Sequence, residues 1–530
     1  MNDSLSTAAS LRARHAQGAG IYRIMPAAVG RPKDRSELRT MLAEAAAKGL
    51  PVTPRGAGSA MGGGNVGPGL VLDMTAFDAG RCLLDPAGLR ATVSPGLPLA
   101  ELQAAAHPFG LHCPLDPSSA RWATIGGLVA TNAAGARTVR DGPMRRWVDS
   151  LVLETDDGPL TLTRGVAPDP AHPVVRRWLT DAVPLLARHR EAILARWPRT
   201  RKNTLGYALD AWFATGDLLD LVIGAEGTLG VMTEVTVRLT PIVQHHATLR
   251  IALIERSALP VVIACLHRYL PVRLEFLDAS FLSLVEARMP DAAALLLVDF
   301  EDDDPDRLAT RLAAATTDVM ALGDGVLAVE QASDTAEAHA LWAVRHGASP
   351  RLAALTDGRR SLQVIEDGCV PPDRLPDYLD AVEQACLRQH VDVVLFGHAG
   401  DGHVHVNLLP NLNEADWLDR VRNIYDEVNG ALFRLGGTPA GEHGAGRLRA
   451  GLIERFLGPE ALACFHAVRS AFDPAGRCNP GVILPDRDDP FTRLKVGADA
   501  VPLPDGWDQQ WRRIEAEARW GMVGDSAPLG

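Results

Sequence analysis

Apolar and polar positions recur along this chain in two rhythms, and the rhythm changes near residue 247. Upstream, residues 36–48 carry helix formers and stop at Gly49, which predicts a helix closed by a glycine. Strand-like runs follow, separated by three segments dense in glycine. From 247 onward Leu249, Ile251 and Leu253 alternate as in a half-buried strand, and a helix-length stretch covers 257–269. Strand-like runs at 272–277, 293–300, 326–330 and 361–366 then alternate with helical stretches, predicting an antiparallel or mixed sheet with helices on one side. Residues 414–435 predict a long helix. Beyond 485, Trp507, Trp511, Ile514 and Ala518 fall at helical spacing and predict a last helix packed on the body.

The densest chemistry lies at 391–407, VDVVLFGHAGDGHVHVN. Val391, Val393, Val394, Leu395 and Phe396 suit a buried strand, and Gly400 and Gly402 around Asp401 supply a tight return. In the second arm His403, His405 and Asn407 share one face while Val404 and Val406 take the other. His398 ends the first arm. Two imidazoles brought together across a turn make half of a divalent-metal site, and a carboxylate from GEHG (441–444) would complete the protein's share and leave positions open for substrate. Alone, three histidines in eight residues read more often as a polar strand face. Their company shifts the reading.

Residues 51–69, PVTPRGAGSAMGGGNVGPG, hold seven glycines in nineteen positions. Such a stretch builds no core, but its backbone approaches a phosphate closely and aims N–H groups at it, with Arg55 adding charge. It has neither the lysine of a P-loop nor the spacing of a dinucleotide fingerprint. In 117–135, Gly126, Gly127 and the small residues Ala130, Thr131, Ala133, Ala134 and Gly135 suit backbone packed against a flat ligand. A third such segment covers 222–236.

The 530 residues allow two or three domains, and 47% apolar with 22% charged is an ordinary soluble composition. A net charge of -12 weighs against a nucleic-acid partner. No run of about 18 apolar residues offers a transmembrane span. The first twenty residues lack an apolar signal core, so a cytoplasmic location is expected, Arg12 and Arg14 being a faint pointer to an organelle. Seven scattered cysteines without a CxxC pair encode neither an iron-sulfur cluster nor a zinc ribbon, so any electrons handled here leave through another carrier.

PRGAGS (54–59), DPSSARWATIGGLVATNAAG (116–135), KNTLGYAL (202–209) and GAEGTLGVMTEVTVRLTP (224–241) resemble the FAD domain of the vanillyl-alcohol oxidase and para-cresol methylhydroxylase superfamily. GHAGDGHVHVN (397–407), GEHG (441–444) and DPAGRCNPGVIL (473–484) resemble its D-lactate, D-2-hydroxyglutarate and glycolate dehydrogenase branch. The resemblance spans roughly 22–484. It implies an α+β fold: a two-part FAD-binding domain (1–242), a ferredoxin-like antiparallel-sheet cap (243–434), a helical segment returning to the FAD domain (435–484) and an extension (485–530). It also implies that Arg55, Gly56, Ala57, Gly58 and Ser59 lie at the FAD pyrophosphate, with Gly126, Gly127, Thr131, Asn132, Glu226, Gly227 and Gly230 completing the cradle. Some relatives tether the flavin to a histidine in the first glycine loop; Ser59 stands there instead, so non-covalent FAD is expected.

Oxidising a 2-hydroxy acid needs an acceptor, a base, something to acidify the hydroxyl and a carboxylate clamp. FAD would be the acceptor. A divalent ion (Zn or Mn, with Fe a further alternative) held by His398, His405 and Glu442 would acidify the hydroxyl, and His443 is the candidate base, an imidazole suited to neutral pH. The resemblance carries the clamp to Arg345, in LWAVRHG (341–347), and further substrate contacts to Ser349 and Asn407. Two departures stand out. GDGH replaces the family's GDGN, placing His403 where it either bonds the loop as the asparagine would, which is favoured, or adds a pH-sensitive group. Apolar Ile365 replaces a lysine that holds a distal carboxylate in hydroxyglutarate enzymes, which favours a D-lactate-like monocarboxylate unless Arg351, Arg359 or Arg360 substitutes.

The expected activity is thus FAD- and metal-dependent oxidation of a small D-2-hydroxy acid, with electrons passing to a quinone, cytochrome or electron-transfer flavoprotein. A homodimer is a candidate assembly. The alternatives are D-2-hydroxyglutarate oxidation, an oxygen-using oxidase, a non-catalytic flavin-binding subunit, and a flavin-free metal hydrolase, which would leave the glycine segments idle.

Overall fold

A computed structural model describes residues 4–517, apart from 287, 288, 290, 324, 333, 347–350, 353, 354, 356, 487 and 488. After a short helix at Ala9–Arg14, the first half runs through strand β1 (Ala28–Gly30), helix α1 (Arg35–Ala47), β2 (Val52–Arg55) and β3 (Leu70–Asp73), whose strands form a parallel sheet in the order β1-β3-β2. Asp34 starts α1 by accepting the Glu37 N–H; Leu38, Met41 and Ala45 face the core, and Gly49 at φ +65° turns the chain out. Five antiparallel strands follow: β4 (Cys82–Asp85), β5 (Arg90–Val93), β6 (Val148–Thr155), β7 (Gly158–Thr163) and β8 (Val231–Arg238), ordered β4-β5-β8-β6-β7. Between β5 and β6 runs a short helix, α2 (Ile125–Ala130), with Thr124 as its cap. The glycine segments are the loop leaving β2, the turn into α2 and the loop entering β8.

The second half is a seven-stranded sheet. Its elements are β9 (His245–Leu253), α3 (Leu259–His267), β10 (Arg273–Asp278), β11 (Ala294–Asp302), α4 (Pro305–Met320), β12 (Val326–Gln331), α5 (Thr335–His346), β13 (Gly368–Cys369), α6 (Leu375–Arg388), β14 (Asp392–His398) and β15 (His403–Leu409). The order is β12-β9-β11-β10-β14-β15-β13, with every pairing antiparallel. Helices α3, α4 and α6 share one core with Leu249, Ile251, Leu296 and Val298.

Helices on one side only is an expectation the structure corrects. On the opposite face Ala252, Leu277, Leu295 and Leu297 are covered by Phe281 and Leu282 and by Leu341 and Trp342 of α5. The run 294–298 is apolar on both faces of β11, so water must be excluded from both. The strand expected at 361–366 is also absent. There Leu362 makes one bridge to Leu408, and the chain then bends to bring Glu366 and Asp367 beneath the loop 441–444.

A long helix, α7 (Trp417–Arg434), leads back to the first half, where Phe465 of α8 (Pro459–Phe472) packs edge-on against Tyr207, ring centroids 5.1 Å apart. Arg137 and Arg140, from the first half, both donate to Glu301 at the end of β11 and tie cap to base. The extension forms α9 (Trp507–Ala516), in which Trp511 and Ile514 are buried and Trp511 Nε1 donates to the Ala13 carbonyl at 3.1 Å; Ala518 lies outside the described residues. No helix among the described residues is long and apolar enough to cross a membrane.

Candidate active site

Between base and cap lies a cavity of about 1700 Å³, well above the ~300–1,000 Å³ of a single-ligand pocket. All three glycine segments line it. Arg55, Gly56, Ala57, Gly58, Ser59, Gly126, Gly127, Thr131, Glu226, Gly227 and Gly230 reach its wall; Asn132 does not. Asn132 adopts φ +48° and turns its Oδ1 to the Arg145 N–H at 2.9 Å, serving the turn behind the cradle. Arg55 is wedged under its own loop, donating to the carbonyls of His15 and Asn65, so it shapes the loop from beneath. Glycine is required at 56 because a Cβ there would run into Thr124 Oγ1, where the first two segments touch. Gly56→Ala is therefore expected to force the two apart and lower flavin occupancy, read as the ratio of flavin to protein absorbance after purification.

At the cap end of the cavity the β14–β15 hairpin pairs His398 with His403 and Phe396 with His405, which puts all three imidazoles on one sheet face. His398 Nε2 stands 3.2 Å from His405 Nε2 and 3.3 Å from Glu442 Oε1, and His405 Nε2 is 3.6 Å from the same oxygen. Donors ~2.1 Å from one ion lie ~3.0–4.2 Å apart, so the three fit a common divalent cation. His398 is oriented from behind by Glu275, which accepts from its Nδ1. His405 Nδ1 contacts the Glu366 carbonyl at 3.3 Å. Burial, then the neighbouring imidazoles, drive the His405 pKa well down and keep the ring neutral, the form a metal needs.

Around these donors Asp367 accepts the N–H groups of Glu442 and His443, both at 3.0 Å, and His403 Nε2 at 2.9 Å. His403 thus meets Asp367, the carboxylate that also holds the 441–444 loop, and not the loop itself; its Nδ1 is buried without a partner among the described residues. Lys202 Nζ sits 2.7 Å from Glu442 Oε2, and Thr204 Oγ1 accepts the Gly444 N–H at 3.1 Å, which gives the KNTLGYAL segment its place in the site. Burial would push Glu275 and Asp367 up. The histidines and arginines beside them outweigh it and hold each at about 2.

Glu275, Glu366, Asp367, Asp401 and Glu442 are all buried here. Against them stand Lys202, Arg345 and Arg449, with half-exposed Arg201 reaching Asp401 from the surface. The deficit of positive charge pushes His398 up against its burial. It likewise pushes His443 up to about 9 against its burial, through Asp367 and then Glu366, which favours the protonated ring in the metal-free site. A divalent ion would answer the same deficit and displace such protons. Donor set, spacing and charge all fit a metal.

Arg345 lines the cavity with its guanidinium 4.5 Å above the Phe396 ring, and its Nε donates to Glu275 Oε2 at 2.9 Å. Asn407 also faces the cavity, its Oδ1 accepting from Ser361 Oγ and Gln363 Nε2. Ser349 lies outside the described residues. Ile365 faces the apolar core, so its lack of charge says nothing about substrate length. Of the arginines named as substitutes Arg360 reaches the cavity, whereas Arg359 pairs with Asp357 and Asp392 at the surface. Sequence reading missed Glu275, Lys202, Asp367 and Arg449. Only Glu275 carried a local signal, a carboxylate set between the apolar Leu274 and Phe276 in the middle of β10.

Two family models match: the FAD binding domain over residues 26–163, and the C-terminal domain of FAD linked oxidases over 247–483. Glycolate oxidase subunit GlcD of Bacillus subtilis is 30% identical over 469 residues, 87% of this chain and 89% of that one. D-lactate dehydrogenase of Archaeoglobus fulgidus is 28% identical over 470 residues, 86% and 91% of the two chains. Among solved structures, 4-ethylphenol oxidase of Gulosibacter chungangensis superposes with a TM-score of 0.65 over 91% of this chain and 95% of its own, at 13% identity, a likeness of fold. Matched by an FAD binding domain and by the C-terminal domain of FAD linked oxidases, and with three glycine segments lining one cavity between base and cap, this chain belongs to the FAD-linked oxidases of the vanillyl-alcohol oxidase/para-cresol methylhydroxylase family and is an oxidoreductase.

Proposed function

We propose that this enzyme oxidises a small D-2-hydroxy acid to the 2-oxo acid, using non-covalent FAD and a divalent ion held by His398, His405 and Glu442, and passes the electrons to an external carrier. The observation that carries the reading is that these three donors converge at the wall of the same cavity that the glycine segments line. When bound, FAD supplies the acceptor for the hydride from C2, and the ion supplies Lewis acidity toward the substrate hydroxyl. The remaining tasks fall to the chain. Arg345, held at Nε by Glu275, offers the rest of its fork to the substrate carboxylate. His443, anchored by its N–H on Asp367 and left neutral when the ion offsets the surrounding carboxylates, would accept the proton that leaves the substrate hydroxyl as the hydride leaves C2. Asn407, fixed through its Oδ1 by Ser361 and Gln363, orients the substrate two residues along the strand from His405. The complete donor set weighs against a non-catalytic subunit.

With Ile365 turned inward and Arg360 on the wall, one cationic group is at hand for a second carboxylate, so D-2-hydroxyglutarate stays beside D-lactate as a substrate to be tested. A panel of D- and L-2-hydroxy acids with a dye acceptor, with oxygen alone, and with or without chelator, tests the reading. Turnover of D-acids by the dye, lost with chelator, is expected; turnover of L-acids alone refutes it. Ser59 stands where a tethering histidine would be, so acid denaturation should release all the flavin into the filtrate.

A further inference from the structure

We infer that His403 is a fourth protein ligand, through Nδ1, to the ion held by His398, His405 and Glu442, making a centre of three imidazoles and one carboxylate. The inference rests on the metal reading proposed above. His403 lies opposite His398 in the hairpin register and is fully buried. Its Nε2 is engaged by Asp367 at 2.9 Å, so a neutral ring that donates there carries its lone pair on Nδ1. That nitrogen has no hydrogen-bond partner among the described residues and is 3.9 Å from Glu442 Oε2, and His403, His398, His405 and Glu442 each offer one ligand atom to a group whose members all lie within 4.8 Å of one another.

The surroundings are shaped to this ring. A Cβ at Gly441 would stand 2.6 Å from His403 Cδ2 and 2.7 Å from Nε2, so only glycine lets the loop that carries Glu442 pass over the imidazole. Asp367 both receives His403 Nε2 and grips the backbone N–H of Glu442, so one carboxylate aims two donors at one point. Glu275 does the same for His398 with the ring nitrogens exchanged. His398, His405 and Glu442 line the cavity and His403 does not, so it approaches from the protein side and leaves the cavity side to substrate. A four-coordinate ion would then be closed, so the centre takes a cation that expands to five or six ligands when substrate binds.

The test uses the full-length, FAD-bound protein with zinc as the probe. X-ray absorption at the zinc edge of the unaltered protein is expected to count three imidazoles. In His403→Gln the amide nitrogen replaces Nε2 for Asp367 while nothing takes the place of Nδ1. Its zinc affinity, by competition with a chromophoric chelator, should fall by more than about 100-fold, beyond the ~10–100-fold of an outer-shell partner, with flavin content unchanged. Two imidazoles in the unaltered protein, or an affinity loss within ~100-fold, overturns the assignment while leaving the three-residue site intact. Zinc bound no better by the unaltered protein than by His405→Ala overturns both.

Discussion

His405→Ala should leave the protein yellow and nearly inert. The side chain lies on β15 of the cap, whereas the proposed flavin cradle is built from loops of the other half, so the deletion touches no glycine segment. It removes one of three converging donors, and Glu442 then faces Lys202 and His398 with the third corner of the site open. Lewis-acid stabilisation is worth several kcal/mol in the transition state, so kcat should fall by about 10³-fold or more. His398→Ala and Glu442→Ala should match it, since the three act as one unit. Flavin content and turnover measured on the same preparation check this; activity equal to the unaltered protein removes His405 from the site.

Arg345→Ala should act on substrate binding, raising KM far more than it lowers kcat. A desolvated guanidinium–carboxylate pair contributes about 2–5 kcal/mol, which corresponds to ~30- to 5,000-fold in kcat/KM. The structure adds a second way for this residue to matter, because its Nε also holds Glu275, which orients His398. The two roles separate experimentally. A clamp predicts raised KM with full metal content, and partial rescue by Arg345→Lys, which keeps the charge and loses the fork. A role confined to Glu275 predicts metal loss with KM unmoved. Unchanged KM and kcat would take Arg345 out of the site altogether.

The hairpin was readable from sequence because its information is local: a period of two sets the face of His403, His405 and Asn407, and Gly402 at φ +68° makes the return. The glycine segments were readable for a similar reason, since residues that exclude side chains mark where backbone must approach a ligand. The groups that set the electrostatics were not. Glu275 is 123 residues from the His398 it orients, and Lys202 is 240 residues from Glu442; such pairings exist only once the sheet and the cap have assembled. Periodicity also misread 361–366, whose apolar residues serve a bend: Leu362, Val364 and Ile365 enter the core while Ser361, Gln363 and Glu366 reach the cavity. Asn132 shows the limit of a glycine-rich neighbourhood as a guide, because a positive φ there serves a turn behind the cradle.

Anaerobic mixing of the holoenzyme with D-lactate, followed through the flavin's visible absorption before and after removal of the bound ion, bears most directly on the shared cavity. Prompt bleaching by the D-acid, abolished by chelation and restored when zinc or manganese is returned, is the result expected. Bleaching that proceeds as fast without the ion, or none with any D-2-hydroxy acid while flavin and metal are both in place, would contradict it.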